Sequence, residues 1–168
     1  MVMSQVALNR HKWQTTVIFT LAFWLSACLI LDLAIIPSLY AAGMMAEPSF
    51  ASAGYTIFWI FNRLELVCAA LAMTGVLVLW NTHQALGNHV RKAIILSTLL
   101  LILALVDTYI LTPYMSGLGI QLNLFEGAVE VTGEMNQMHA AYWGLEIIKI
   151  AAAGWLLNLC YRQEAKAE

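Results

Sequence analysis

The fold class is decided by residues 135–160, which read MNQMHAAYWGLEIIKIAAAGWLLNLC. The segment is long and mostly apolar, yet His139, Tyr142, Glu146 and Lys149 interrupt it. At about 100° per residue these four positions fall within an arc of about 80° on one helical face. A charge inside a bilayer costs about 3 kcal/mol or more, so charged residues there usually pair or have a function. The segment therefore predicts a membrane-spanning helix with one polar face.

Three more apolar segments of similar length precede it. We predict helices over about 15–42, 55–80, 93–114 and 135–160. The 168-residue chain is 61% hydrophobic and only 11% charged, against about 25% charged in ordinary soluble domains. Each segment exceeds the roughly 20 residues that cross a bilayer, and backbone in lipid must be hydrogen-bonded within its own helix. The sequence predicts an all-α integral membrane four-helix bundle that forms a single domain over residues 1–168.

The basic residues indicate the orientation of this bundle. Those outside the predicted helices lie at the N-terminus, in the second loop and in the C-terminal tail: Arg10, Lys12, Arg91, Lys92, Arg162 and Lys166. The first and third loops carry glutamates and no Lys or Arg. Because cytoplasmic loops are enriched in basic residues, we expect both termini in the cytoplasm and the first and third loops outside.

Cys28 leaves one alternative open for the first segment. Leu25-Ser26-Ala27-Cys28 is similar to a bacterial lipoprotein cleavage site, and cleavage there would remove 27 residues. The chain stays mostly apolar as far as Pro37, which favours an uncut transmembrane helix. The intact mass of the purified protein distinguishes the two.

Charged residues of all four predicted helices fall at a common depth. With helices that alternate in direction, Asp32, Glu65, Asp107 and Glu146 lie about 12–16 Å below the outer surface. We expect a polar site there, with a Glu146–Lys149 pair and a hydrogen bond from Tyr142 to Glu146. The predicted site residues are Asp32, Asn62, Arg63, Glu65, Asp107, Tyr109, His139, Tyr142, Glu146 and Lys149. Four carboxylates against two cations indicate that a carboxyl group is protonated or that a cation binds.

Methionines near the outer ends suggest a metal site as a second candidate. Thioether and imidazole ligands suit copper(I), and the candidate ligands are Met115, Met135, Met138 and His139. The other three histidines lie on the cytoplasmic side, so haem would need His139 together with a methionine. Methionines that only fill gaps at helix ends are the alternative.

Other function classes lack their sequence signals. There is no phosphate-binding glycine loop, no nucleophile with a matched base and no internal repeat that is evident from sequence. No basic stretch of the kind that binds nucleic acid is present. We therefore expect no nucleic-acid partner and no catalytic residues, and favour a protein that is not an enzyme.

Short motifs along the chain resemble those of a known family. They are DL with PSL over 32–39, FWIFNR over 58–63, DTY with PYM over 107–115, and H-x-x-Y-x-x-x-E-x-x-K over 139–149. Together they resemble the transmembrane-protein-205-like domain family in a bacterial, cyanobacterial-type version. That family consists of small four-helix membrane proteins and is similar to the broader CopD-like group of membrane bundles. The resemblance implies copper or haem as cofactors to consider, and a bacterial plasma membrane or a thylakoid membrane as the expected location. It also implies tests at Asp32, Asn62, Arg63, Pro113, His139, Tyr142 and Glu146.

Three functions remain open at this point. The first is a small membrane bundle whose outward-facing polar site binds or passes a cation, a proton or a metal. The second is a membrane redox protein that holds haem or copper. The third is a non-catalytic accessory or assembly subunit. The expected partners are the lipid bilayer and either a second copy of the chain or a membrane complex. Small residues at Ala140 and Gly144 suit close helix contact.

Overall fold

A computed structural model describes residues 2–44, 50–81, 89–125 and 133–164, and these residues are almost entirely helical. The elements are α1 (Val2–Ile30), π1 (Leu31–Ile35), α2 (Ile36–Ala41), α3 (Phe50–Asn81), α4 (Val90–Val106), π2 (Asp107–Leu111), α5 (Thr112–Phe125) and α6 (Gly133–Glu164). The elements α1, π1 and α2 follow one another without a break, as do α4, π2 and α5.

Four helical spans are long and apolar enough to cross a membrane. Span 1 is His11–Ala41, span 2 is Ser52–Asn81, span 3 is Val90–Leu118 and span 4 is Gly133–Arg162. Each contains its predicted segment to within one residue, so the prediction of an all-helical chain with four membrane-length helices is confirmed. The spans extend beyond the apolar segments at most ends, because helical hydrogen bonding continues into flanking polar residues. We call the end where spans 2 and 4 begin the outer end, after the predicted topology.

The spans pack in a ring in their sequence order, with span 4 returning to span 1. The shared core is made of small and branched side chains, which allow the helices to approach closely. Gly75 is the tightest point: a Cβ atom there would collide with the Cγ2 atom of Val17. Spans 1 and 2 can therefore pack this closely because residue 75 is a glycine and has no side chain.

Spans 1 and 3 each contain one turn of π-helix next to an aspartate. π1 includes Asp32 and π2 begins at Asp107. In each case the second residue of the following α-helix is a proline, Pro37 or Pro113. Proline has no N–H to donate, and the N–H at the end of each π turn bonds five residues back, to Leu31 or Asp107. The two π turns lie at comparable distances from the outer ends of their spans, so Asp32 and Asp107 fall in the same layer of the bundle.

The two halves of the chain correspond more closely than the sequence patterns indicated. Each half has an Asp-containing π turn followed by a proline, and then a second span with a Leu-Glu pair, Leu64-Glu65 or Leu145-Glu146. In a ring of four, spans 1 and 3 lie opposite each other, as do spans 2 and 4. The correspondence therefore directs four carboxyl groups toward one central region.

The surface that faces away from the bundle axis is apolar, as contact with lipid requires. Phe19, Leu33, Ile60 and Ile147 are among its exposed side chains. Exposed tyrosines and tryptophans lie toward both ends: Tyr40, Tyr114, Trp80 and Tyr161. Aromatic residues at both ends are typical of membrane–water interfaces.

Candidate functional site

Five charged residues meet inside the bundle and form what we call the charge cluster: Asp32, Glu65, Asp107, Glu146 and Lys149. Each is only about 1% exposed, and each of the four spans contributes at least one of them. Counted from the outer ends of the spans, the four carboxyl groups lie 9–13 residues in, at about 14–20 Å. These distances exceed the predicted 12–16 Å because they are counted from helix ends that extend beyond the apolar segments.

Lys149 is the centre of the charge cluster. Its Nζ lies 2.8 Å from Glu65 Oε2, 2.7 Å from Asp107 Oδ2 and 2.5 Å from Glu146 Oε1. It also donates to Glu65 Oε1 at 2.9 Å. The predicted Glu146–Lys149 pair is present, and two further carboxylates from neighbouring spans join it. One ammonium group therefore faces three carboxyl groups.

Asp32 belongs to the cluster through different contacts. Its Oδ1 accepts a hydrogen bond from the Tyr142 hydroxyl at 2.8 Å. The bond predicted from Tyr142 to Glu146 is therefore wrong, because the phenol reaches across to span 1 instead of along its own helix. Phe58 packs edge-on against the Tyr142 ring, with centroids 5.5 Å apart.

Several carboxyl oxygens in the cluster have unused acceptor capacity. Among the described residues, Asp32 Oδ2, Asp107 Oδ1 and Glu146 Oε2 are buried and accept no hydrogen bond from a donor. A buried carboxylate oxygen without a donor is costly, because it has lost water without replacing it. A proton or a bound cation would satisfy these atoms.

Trp24 and Cys28 also belong to the site, although the sequence did not indicate them. The Trp24 Nε1–H donates to Glu65 Oε1 at 2.9 Å, and the Cys28 thiol donates to the same oxygen at 3.4 Å. The signal that was available is their spacing, since Trp24, Cys28 and Asp32 are four residues apart on one face of span 1. Cys28 is buried within continuous helix.

Asn62 joins spans 2 and 3 beside the cluster. Its Nδ2 donates to Thr112 Oγ1 at 2.7 Å and to the backbone carbonyl of Asp107 at 3.3 Å. The Thr108 hydroxyl donates to the carbonyl of Ala104 at 2.7 Å. These bonds fix both ends of π2, and with it the direction of the Asp107 side chain.

Three of the predicted site residues lie on the exposed surface, away from the charge cluster. Arg63 is exposed, and its guanidinium stacks 3.4 Å above the centre of the Trp59 ring while Nη1 donates to the Trp59 carbonyl. Tyr109 is 66% exposed on span 3. His139 is exposed near the outer end of span 4. The expectation that Arg63 belongs to the polar site as one of its two cations is therefore wrong, since Arg63 points away from the centre of the bundle.

The predicted metal ligands are spread over the outer end. His139 Nδ1 interacts with the backbone carbonyl of Met135, which leaves Nε2 as its available ligand atom. Met135 is buried, whereas Met115 and Met138 are half-buried. The other described histidines, His11 and His89, lie at the opposite end of the bundle. His139 therefore has no second described histidine at its own end of the bundle.

A different group of metal-capable residues comes together inside the charge cluster. One ligand atom each from Cys28, Glu65 and Glu146 lies within 4.8 Å of the other two. Thiolate and carboxylate suit a divalent cation, but the Lys149 ammonium already contacts both glutamates. A metal ion would have to displace that ammonium group.

Comparisons of the chain with known proteins found no match. No family model, no curated protein and no solved structure matches the chain.

Proposed function

We propose that the charge cluster is a site that binds and passes a cation across the membrane, and that this cation is the proton. The observation that carries the proposal is the burial of four carboxyl groups around one ammonium group. With every group ionised, the cluster would hold a net charge of −3. Burying that charge would cost several kcal/mol for each unpaired ion.

The free carboxyl oxygens and the position of Lys149 favour the proton over a metal ion. Ionised carboxylates that are buried together repel one another, so the cluster is more stable when one of its carboxyl groups carries a proton. Lys149 meanwhile occupies the position where a metal ion would contact Glu65 and Glu146. Protonation satisfies the free oxygens without moving the lysine.

The surroundings of the cluster favour exchange of that proton. Single π turns inside helices are frequent at functional sites, and here one lies beside Asp32 and one at Asp107. The cluster also lies inside the membrane-length part of the bundle, in the outer half of the spans and about 14–20 Å from their outer ends. Ionisable residues at this depth commonly mark proton relays.

Reconstituted vesicles test the proposal. Full-length protein in liposomes with an entrapped pH indicator should pass protons when a potassium diffusion potential is imposed. We expect Glu146→Gln to lower this flux by about tenfold or more, because the amide cannot exchange a proton. Glu134→Gln is the matched control, since Glu134 is an exposed glutamate of the same span that contacts Tyr114.

Two outcomes would contradict the proposal. If the proton flux is no greater than in protein-free vesicles, the protein does not pass protons. If wild type and Glu146→Gln give equal flux, the protons do not pass through the charge cluster. Parallel measurements with probes for monovalent and divalent cations show whether another ion is carried instead.

The two other candidate functions, a redox protein and an accessory subunit, can each be tested separately. A haem- or copper-containing protein, as the resemblance to the transmembrane-protein-205-like and CopD-like groups suggests, would show a Soret band or bound metal after purification. An accessory subunit would co-purify with a stable membrane partner. Neither has an observation in its favour equal to the buried charge cluster.

A further inference from the structure

A cavity of about 140 Å³ lies between spans 2 and 3, separate from the charge cluster. Three aromatic side chains, Tyr55, Trp59 and Tyr109, form its walls. Asn62 and Thr112 line it toward the bundle, and Arg63 lies at its edge. A cavity needs about 10–15 Å³ to admit one water molecule, so this one has room for a small polar group.

The Arg63 charge has no carboxylate partner among the described residues. Its contacts are the Trp59 ring and the Trp59 carbonyl. Ile60 and Val67, three residues before it and four residues after, are 58% and 57% exposed on the apolar surface. A guanidinium has five N–H donors, so most remain available on a side of the helix that faces lipid. An uncompensated charge there is costly, and an anionic ligand would offset that cost.

The position of the guanidinium along the span indicates what kind of anion can reach it. Trp59, whose carbonyl accepts from Arg63, lies seven residues or about 11 Å from the outer end of span 2. The span is about 45 Å long against about 30 Å of hydrocarbon, so about 7 Å projects at each end. The guanidinium thus lies within about 4 Å of the hydrocarbon boundary, where lipid headgroups begin.

The geometry points to a binding site for the phosphodiester headgroup of an anionic phospholipid in the outer-end leaflet. Arg63 supplies the charge-assisted hydrogen bonds, for which its planar fork suits a phosphate. Tyr55 and Tyr109 carry hydroxyl groups at the cavity wall, which suit the glycerol and phosphate oxygens. The acyl chains lie along the apolar surface next to Ile60.

Native mass spectrometry of the full chain in detergent tests this site. The probes are phosphatidylglycerol and phosphatidylcholine with identical acyl chains. We expect phosphatidylglycerol to bind wild type about tenfold more tightly, and Arg63→Gln to abolish the preference. Arg91→Gln is the matched control, because Arg91 is an exposed arginine at the opposite end of span 3. It should keep the preference.

Additional variants and a competition with inorganic phosphate complete the test. Should Arg63→Gln fail to fold, Arg63→Lys and Tyr109→Phe replace it, and both should weaken the preference without removing it. Equal binding of the two lipids to wild type would overturn the proposal, as would an equal loss in Arg91→Gln. Displacement of the lipid by inorganic phosphate at similar concentration would identify a free-anion site instead and overturn it as well. Glu146→Gln should keep the preference whatever its proton flux, so the two proposals fail independently.

Discussion

At the scale of single residues, Lys149 determines whether the charge cluster is tolerated. It is the cation that contacts Glu65, Asp107 and Glu146, and each of these contacts is buried. Removing one partner of a buried ion pair is far more damaging than replacing the whole pair, because the remaining charges stay without compensation.

Lys149→Met should therefore destabilise the protein by about 3–5 kcal/mol in detergent unfolding at neutral pH. The loss should shrink as the pH falls, because protonation neutralises the carboxylates that the lysine no longer compensates. Lys92→Met, at an exposed lysine, should change stability by about 0.5 kcal/mol at most. Equal stability of Lys149→Met and wild type would mean that the ammonium group is dispensable.

Trp24 is the residue whose role was hardest to predict from sequence. It looks like one more apolar residue of span 1, yet its indole N–H donates to Glu65. Trp24→Phe should cost about 1–3 kcal/mol in the same unfolding measurement, because a buried carboxylate oxygen loses a donor. Trp155→Phe is the control at a tryptophan that is 55% exposed to lipid. A similar small effect of both changes would argue against the hydrogen bond.

At the scale of the elements, the fold depends on close packing of spans 1 and 2 at Gly75. Gly75→Ala should destabilise by about 1–3 kcal/mol, because the new Cβ atom collides with Val17. The double variant Val17→Ala with Gly75→Ala should recover part of the loss. Gly154→Ala is the matched control, since nothing lies within 4 Å of a Cβ atom there. The measurement is thermal unfolding followed by circular dichroism.

The four helices could be predicted from the sequence, but the directions of their side chains could not, because two of the spans contain π turns. Apolar length alone identifies four spans, because only helices satisfy their backbone in lipid. A regular 3.6-residue period, however, gives the wrong phase beyond an inserted π residue. Pro37 and Pro113 indicate in the sequence that the helical hydrogen bonding is irregular nearby. They do not show which backbone carbonyl lacks an N–H donor, and so they do not locate the π turn.

At the scale of the whole molecule, the depth of the charges was predictable and their partners were not. Counting along alternating helices placed four carboxyl groups in one layer, because rise per residue is constant. Which residues face each other depends on the rotation of each helix about its axis. That is why Arg63 was expected in the cluster although it stacks on Trp59 at the lipid-facing surface.

Infrared spectroscopy can detect the proton that we propose the charge cluster holds. Protein in an ester-free detergent at neutral pH should show the C=O stretching band of a protonated carboxyl group. The band should weaken or vanish in Asp32→Asn and in Glu146→Gln, and it should persist in Glu134→Gln. A wild-type spectrum that contains only carboxylate bands would contradict the account, because every carboxyl group in the cluster would then be ionised.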